Sequence, residues 1–189
     1  MMKKYDFTKK CEESDFAYAY SPVTKAKKEL ETAKDGVTTV GYNEDITDYD
    51  YISVISNEKY GIGTTTSLNC SFDKMGAPLI VFAGYVPENR IYELHFEVVV
   101  YEGGLNVWRI VPFPERTERP IRPTKLLGEK FELENNKITS LKVNFLKNEL
   151  KISVNDKEFS VACDEFPEEF HVGFTACEGI CRFYDFSIE

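Results

Sequence analysis

The sequence predicts an all-β fold: a two-sheet antiparallel jelly-roll sandwich carrying one short N-terminal helix. Three observations point there. A two-residue hydrophobic period sets in after Gly36 and holds almost to the last residue. Polar turn clusters such as KMGAP, PEN and EGG interrupt it at short, regular intervals. Aromatic residues make up 14% of the chain, and Phe and Tyr favour half-buried pleated surfaces.

The elements follow in order. Phe16, Tyr18 and Tyr20 alternate with small residues and predict a short first strand. SPVTKAKKELETAKDG then predicts the helix. Ser21 can cap it, Pro22 suits its first turn and Gly36 its end, while Val23, Ala26, Leu30 and Ala33 keep helical spacing. Strands are predicted over residues 37–42, 49–56, 60–72 (with a break), 79–83, 91–101 and 105–111. PFPERTERPIRPT has four prolines, a density that no ladder is expected to cross, and predicts a long loop. Further strands are predicted over residues 130–133, 138–145, 149–154, 158–162, 170–176 and 182–188. Lys147-Asn148 and Asn155-Asp156 supply tight turns between three of them.

A chain of 189 residues fits one domain spanning residues 1–189, with residues 1–36 as an extension whose helix packs on it. It can bury well over half of its unfolded surface without disulfide or metal. The net charge of −9 argues against nucleic acid or an anionic membrane as the main partner. No apolar run approaches the roughly 20 residues that span a bilayer. The basic N-terminus lacks the apolar segment of a secretory signal. The five cysteines are odd in number and include no C-x-x-C pair, which suggests free thiols and a cytoplasmic address.

The C-terminal stretch ITSLKVNFLKNELKISVNDKEFSVA, followed by HVGFTACEGICRFYDFSIE, resembles the end of the concanavalin A-like lectin and glucanase superfamily. The matching pieces are Leu141 and Val143; Leu150, Ile152, Val154, Asn155 and Asp156; Val172, Gly173 and Phe174; and Phe183, Asp185, Phe186 and Ile188. The likeness covers roughly the last 50 residues, with a less specific fit over residues 78–111. It implies the sandwich fold and a function among lectins, glycoside hydrolases and adaptor domains.

The strand RIYELHFEVVVYEGG carries the candidate chemistry. Tyr92, Leu94, Phe96, Val98 and Val100 are expected to face the core, and Glu93, His95, Glu97, Val99 and Tyr101 the opposite side. In the next strand Leu105, Val107 and Val111 share the core face, with Arg109 as a misfit, and Asn106, Trp108 and Ile110 lie opposite. If the two strands pair, Glu93, His95, Glu97, Tyr101, Asn106 and Trp108 share one surface. Flat rings with carboxylates and amides suit a sugar, although a solvated sheet face is built from the same residue types.

The spacing Glu93-x-His95-x-Glu97 is similar to the E-x-D-x-E strand motif of the laminarinase-type hydrolases in that superfamily. The resemblance implies Glu93 as nucleophile and Glu97 as acid/base, with His95 standing where that motif has Asp. Positions i and i+4 of a strand lie roughly 13 Å apart at Cα, whereas a retaining pair needs carboxyls about 5–5.5 Å apart.

Two metal readings are open. Glu44, Asp45, Asp48 and Asp50 offer oxygens to calcium. His171, Cys177 and Cys181 offer soft ligands to zinc, although free cysteines are commonly small buried residues. The first expectation remains no cofactor and no metal. Three functions stay open: a carbohydrate-binding or glycan-associated module, a glycoside hydrolase using the glutamate pair, and a non-catalytic domain with a protein partner.

Overall fold

The computed structural model describes residues 2–9, 15–22, 29–38, 51–113, 115–116 and 120–189. The described residues form strands throughout and no helix. In chain order the strands are β1 (Lys3–Asp6), β2 (Phe16–Ala19), β3 (Glu31–Ala33), β4 (Gly36–Thr38), β5 (Tyr51–Ser56), β6 (Tyr60–Gly61), β7 (Thr65–Asp73) and β8 (Ala77–Ala83). There follow β9 (His95–Tyr101), β10 (Gly104–Pro112), β11 (Ile121–Lys130), β12 (Thr139–Leu146), β13 (Glu149–Val154), β14 (Lys157–Ala162), β15 (Glu169–Cys177) and β16 (Ile180–Ile188).

They build two antiparallel sheets. One runs β14-β13-β12-β7-β16-β4-β3, with β1 also on β16. The other runs β11-β10-β9-β8-β15-β5-β2, with β6 also on β15. Period-two alternation sends one face of each sheet into the space between them. Leu68, Leu141, Val143, Ile152 and Phe186 from the first sheet meet Ile80, Phe82, Phe96, Val98, Val107 and Phe174 from the second. Phe82 stacks on Phe96 at 5.1 Å and meets Phe145, Phe166 and Phe170. The 14% aromatic content is thus spent largely on the core.

The turn chemistry of the C-terminal third appears where it is expected. Asn148 and Asn155 take φ of 58° and 53°, the left-handed conformation that Asn tolerates. Arg109, the misfit, sits opposite Phe96 and pairs its guanidinium with Glu165 at 2.6 Å.

Three expectations are corrected. The helix is not seen: residues 23–28 lie outside the described residues, and β3 and β4 form a hairpin where its second half was expected. Leu30 packs on the core from a strand connection, so core contact has overridden helical spacing. Gly36 does not end a helix. A Cβ there would stand 2.1 Å from the Phe183 carbonyl oxygen, so it lets β4 approach β16.

The ends of the proline-rich segment are paired strand rather than loop, since Pro112 pairs with Ile121 and Ile110 with Pro123, while residues 114 and 117–119 lie outside the described residues. Pro123 is accommodated because β11 is an edge strand, whose outward side needs no donor, and Pro112 lies at the end of β10 beyond its pairing with β9. The ladder continues from β11 to Lys130, and residues 131–133 are not strand.

Candidate functional site

The outer face of the second sheet carries the site. On β9, Phe96, Val98 and Val100 enter the core, so His95, Glu97, Val99 and Tyr101 point outward. On β10, Leu105 and Val107 go inward, and Asn106, Trp108 and Ile110 go outward. The ladder sets Trp108 opposite Glu97 and Ile110 opposite His95.

A groove of about 700 Å³ opens over this face. Of the six residues singled out in the sequence, His95, Glu97, Tyr101, Asn106 and Trp108 line it. Glu93 does not. It is exposed, precedes the first residue of β9, and lines a separate depression with Gly84, Tyr85 and Glu165.

Tyr92 also departs from the expected phase. With the strand starting only at His95, Tyr92 belongs to a segment that crosses the outer face. Tyr20 donates its N–H to the Arg90 carbonyl at 2.8 Å, and Tyr92 donates its own to the Tyr20 carbonyl at 3.0 Å. The Tyr92 ring then lies on the sheet, its hydroxyl 2.6 Å from Ser53 Oγ, which is 2.7 Å from Thr175 Oγ1. Tyr92 belongs to one buried cluster with Ala19, Ile55, Val81 and Ala83, none of which lines the groove.

The polar centre of the groove is Glu97. Tyr51 donates its hydroxyl to Glu97 Oε1 at 2.8 Å. His95 Nε2 lies 3.3 Å from the same oxygen. His95 Nδ1 is 2.8 Å from the Glu93 carbonyl. A carbonyl only accepts, so Nδ1 carries a proton, and Nε2 donates to Glu97 when the ring is charged. The imidazole stacks on Tyr92 at 4.7 Å, which fixes its plane. Burial, with the Glu97 charge beside it, holds the Tyr51 hydroxyl well above its ordinary pKa, so it stays a donor. Glu97 Oε1 is therefore occupied by protein partners, and Oε2 is the oxygen left to meet a ligand.

Around this centre the surface is apolar. Leu79 and Val99 form the floor, and Trp108 and Ile110 stand beside them. Lys125 Nζ lies 4.7 Å from the Trp108 ring centroid. Such a lining, apolar with a few convergent polar groups, suits a small organic ligand.

Neither metal reading gains support. Glu44, Asp45, Asp48 and Asp50 lie outside the described residues. Cys181 is buried in the core while Cys177 faces the groove, and His171 donates Nδ1–H to the Ser56 carbonyl at 3.0 Å. Among the described residues no group of His, Cys, Asp and Glu could hold a metal.

Solved structures with this architecture are numerous. The carbohydrate-binding module CBM66 from Bacillus subtilis superposes with a TM-score of 0.62 at 12% identity, covering 87% of this chain and 95% of that one. The likeness is one of fold, a two-sheet antiparallel jelly-roll sandwich. A glycoside hydrolase family 16 endo-glucanase from Bacteroides ovatus gives a TM-score of 0.61 at 12% identity, covering 99% of both chains. A Bacillus subtilis protein of unknown function with a galectin-like fold gives 0.61 at 11% identity, covering 99% of this chain and 94% of the other. No family model matches the sequence, and no curated protein does.

Within this jelly-roll sandwich the groove also holds Tyr51, Met75, Cys177 and Glu178, which sequence reasoning did not select for it. Tyr51 shares a face with Ser53 and Ile55 and alternates with Ile52 and Val54, so its outward direction was readable. Its meeting with Glu97 was not, because the sheet places β8 and β15 between their strands.

Proposed function

We propose that the chain is a glycan-binding, lectin-like module whose ligand lies in the groove over β8, β9 and β10. The observation that carries this reading is the pairing of Trp108 with Glu97 on an open, concave, largely apolar surface. An indole offers a flat apolar platform to the C–H face of a sugar ring. Glu97 Oε2 can accept from a sugar hydroxyl, and the Asn106 amide can both accept and donate. The carbohydrate-binding module and the glucanase that share the fold make glycans the ligand class to test first.

Binding is favoured over hydrolysis. A glycosidase of the paired-carboxylate kind needs both acids at one scissile bond. Here Glu97 is in the groove and Glu93 is in a different depression.

Trp108 is the chain's one tryptophan, so its emission reports on the groove alone. Titration with the glycans selected by an oligosaccharide array should shift that emission saturably, and Trp108→Ala should weaken calorimetric binding by at least about tenfold. Array glycans that bind with unchanged emission and equal affinity for the variant would refute the assignment.

A further inference from the structure

One rim of the groove is made by two turn tips that cross between the sheets, one joining β7 to β8 and one joining β15 to β16. The first closes with Gly76 N–H donating to the Asp73 carbonyl at 2.9 Å across Lys74 and Met75. Both central residues have positive φ, 48° and 68°. A turn of that shape is ordinarily built from Asn and Gly, because other side chains are strained there. In the second tip, Glu178 has φ of 59°.

The two tips touch backbone to backbone. A Cβ on Gly179 would stand 2.0 Å from the Lys74 carbonyl oxygen, and one on Gly76 would stand 2.1 Å from that of Ile180. Each tip thus fixes the other and holds Glu178 at the groove. Burial raises the pKa of that carboxyl, and no described side chain donates a hydrogen bond to it.

Charge around the groove is one-sided. Glu97, Glu102 and Glu178 line it, and no Lys or Arg does among the described residues. Lys125 lies over the Trp108 ring and Lys74 sits on the first tip, but neither lines the groove. His95 is the only lining group that can become positive, and Glu97 is beside it. An anionic ligand entering here would lose its hydration among three carboxylates, with Lys125 beside the Trp108 ring as a cation outside the lining, whereas a hydroxyl or an ammonium would gain acceptors.

We propose that the groove selects its glycan by charge, accepting neutral and amino-bearing sugars and rejecting uronate-, sulfate- and sialate-bearing ones, with Glu178 on the β15–β16 turn as the residue that sets the preference. This rests on the glycan-binding reading above and goes further in naming the ligand class.

The test is an array of neutral, amino, uronate, sulfated and sialylated oligosaccharides probed with the wild-type chain, Glu178→Gln and Glu102→Gln. The wild type should bind neutral or amino glycans and discriminate against their anionic counterparts. Glu178→Gln should raise the ratio of anionic to neutral binding about tenfold, the size expected for removing one like charge at close range. Glu102→Gln, an exposed turn residue, should raise it less. An anionic glycan that binds more tightly than its neutral parent overturns the charge rule while the glycan-binding reading stands. A ratio unchanged in both variants overturns the role given to Glu178. An array on which nothing binds removes the glycan-binding reading, and the charge rule with it.

Discussion

Trp108 stands directly opposite Glu97 in the β9–β10 ladder, so the chain's single indole and its most enclosed groove carboxylate share one patch of surface. Side chains opposite each other in an antiparallel pair have Cβ atoms about 5 Å apart, close enough to touch the same sugar ring. The pair is held by backbone register and does not depend on the conformation of a loop.

Glu97 also supports the fold locally. Replacing it with Ala would leave the buried Tyr51 hydroxyl without its acceptor. An orphaned buried donor costs about 1–3 kcal/mol. Urea unfolding of Glu97→Ala should therefore show a lower midpoint at an unchanged slope. Glu97→Gln, which keeps a carbonyl oxygen for Tyr51, should lose less than Glu97→Ala. Equal losses would mean that the Tyr51 contact contributes nothing.

The sandwich depends on the aromatic cluster around Phe82, which is 1% exposed and touches four other phenylalanines from within the core. Phe82→Ala should cost about 3–5 kcal/mol, the usual penalty for deleting a buried ring. Thermal or urea unfolding measures it directly. A loss under about 1 kcal/mol would contradict the packing described.

Stability near neutral pH should carry the signature of His171. Burial lowers its pKa below the ordinary 6.5, while Nδ1–H remains bonded to the Ser56 carbonyl. Just below pH 6.5 the unfolded chain therefore binds more protons at this site than the folded one, so stability rises with pH across that window. His171 contributes its full share above 6.5 and loses it as pH falls through the lowered folded-state value. Unfolding free energies across this range should slope upward with pH, and His171→Gln should flatten the slope. An equal slope in the variant would assign the dependence to other groups.

The sequence carried the sandwich because its two-residue period is long and its turns are chemically marked. Phe96, Val98 and Val100 go inward and His95, Glu97 and Tyr101 outward, as alternation requires. Alternation held only where there was a strand. Glu93 and Tyr92 were assigned faces by extending the β9 period two or three residues too far, and the chain leaves the sheet before His95. The 29–38 hairpin was hidden by residues with good helical spacing, since nothing local signals that β16 needs a partner there. The pairing at the ends of the proline-rich segment was hidden because an edge position is a property of the whole sheet. The groove's further members were illegible for the same reason. Tyr51 reaches it from the start of β5, Met75 from the β7–β8 turn and Glu178 from the β15–β16 turn, and only the order of strands brings them together.

The most direct test of the central claim is a crystal structure of the chain with an oligosaccharide selected by the array. The account predicts a sugar ring resting against Trp108, with a hydroxyl within hydrogen-bonding distance of Glu97 Oε2. A glycan bound on the outer face of the other sheet, with the Trp108 groove filled only by water, would contradict it.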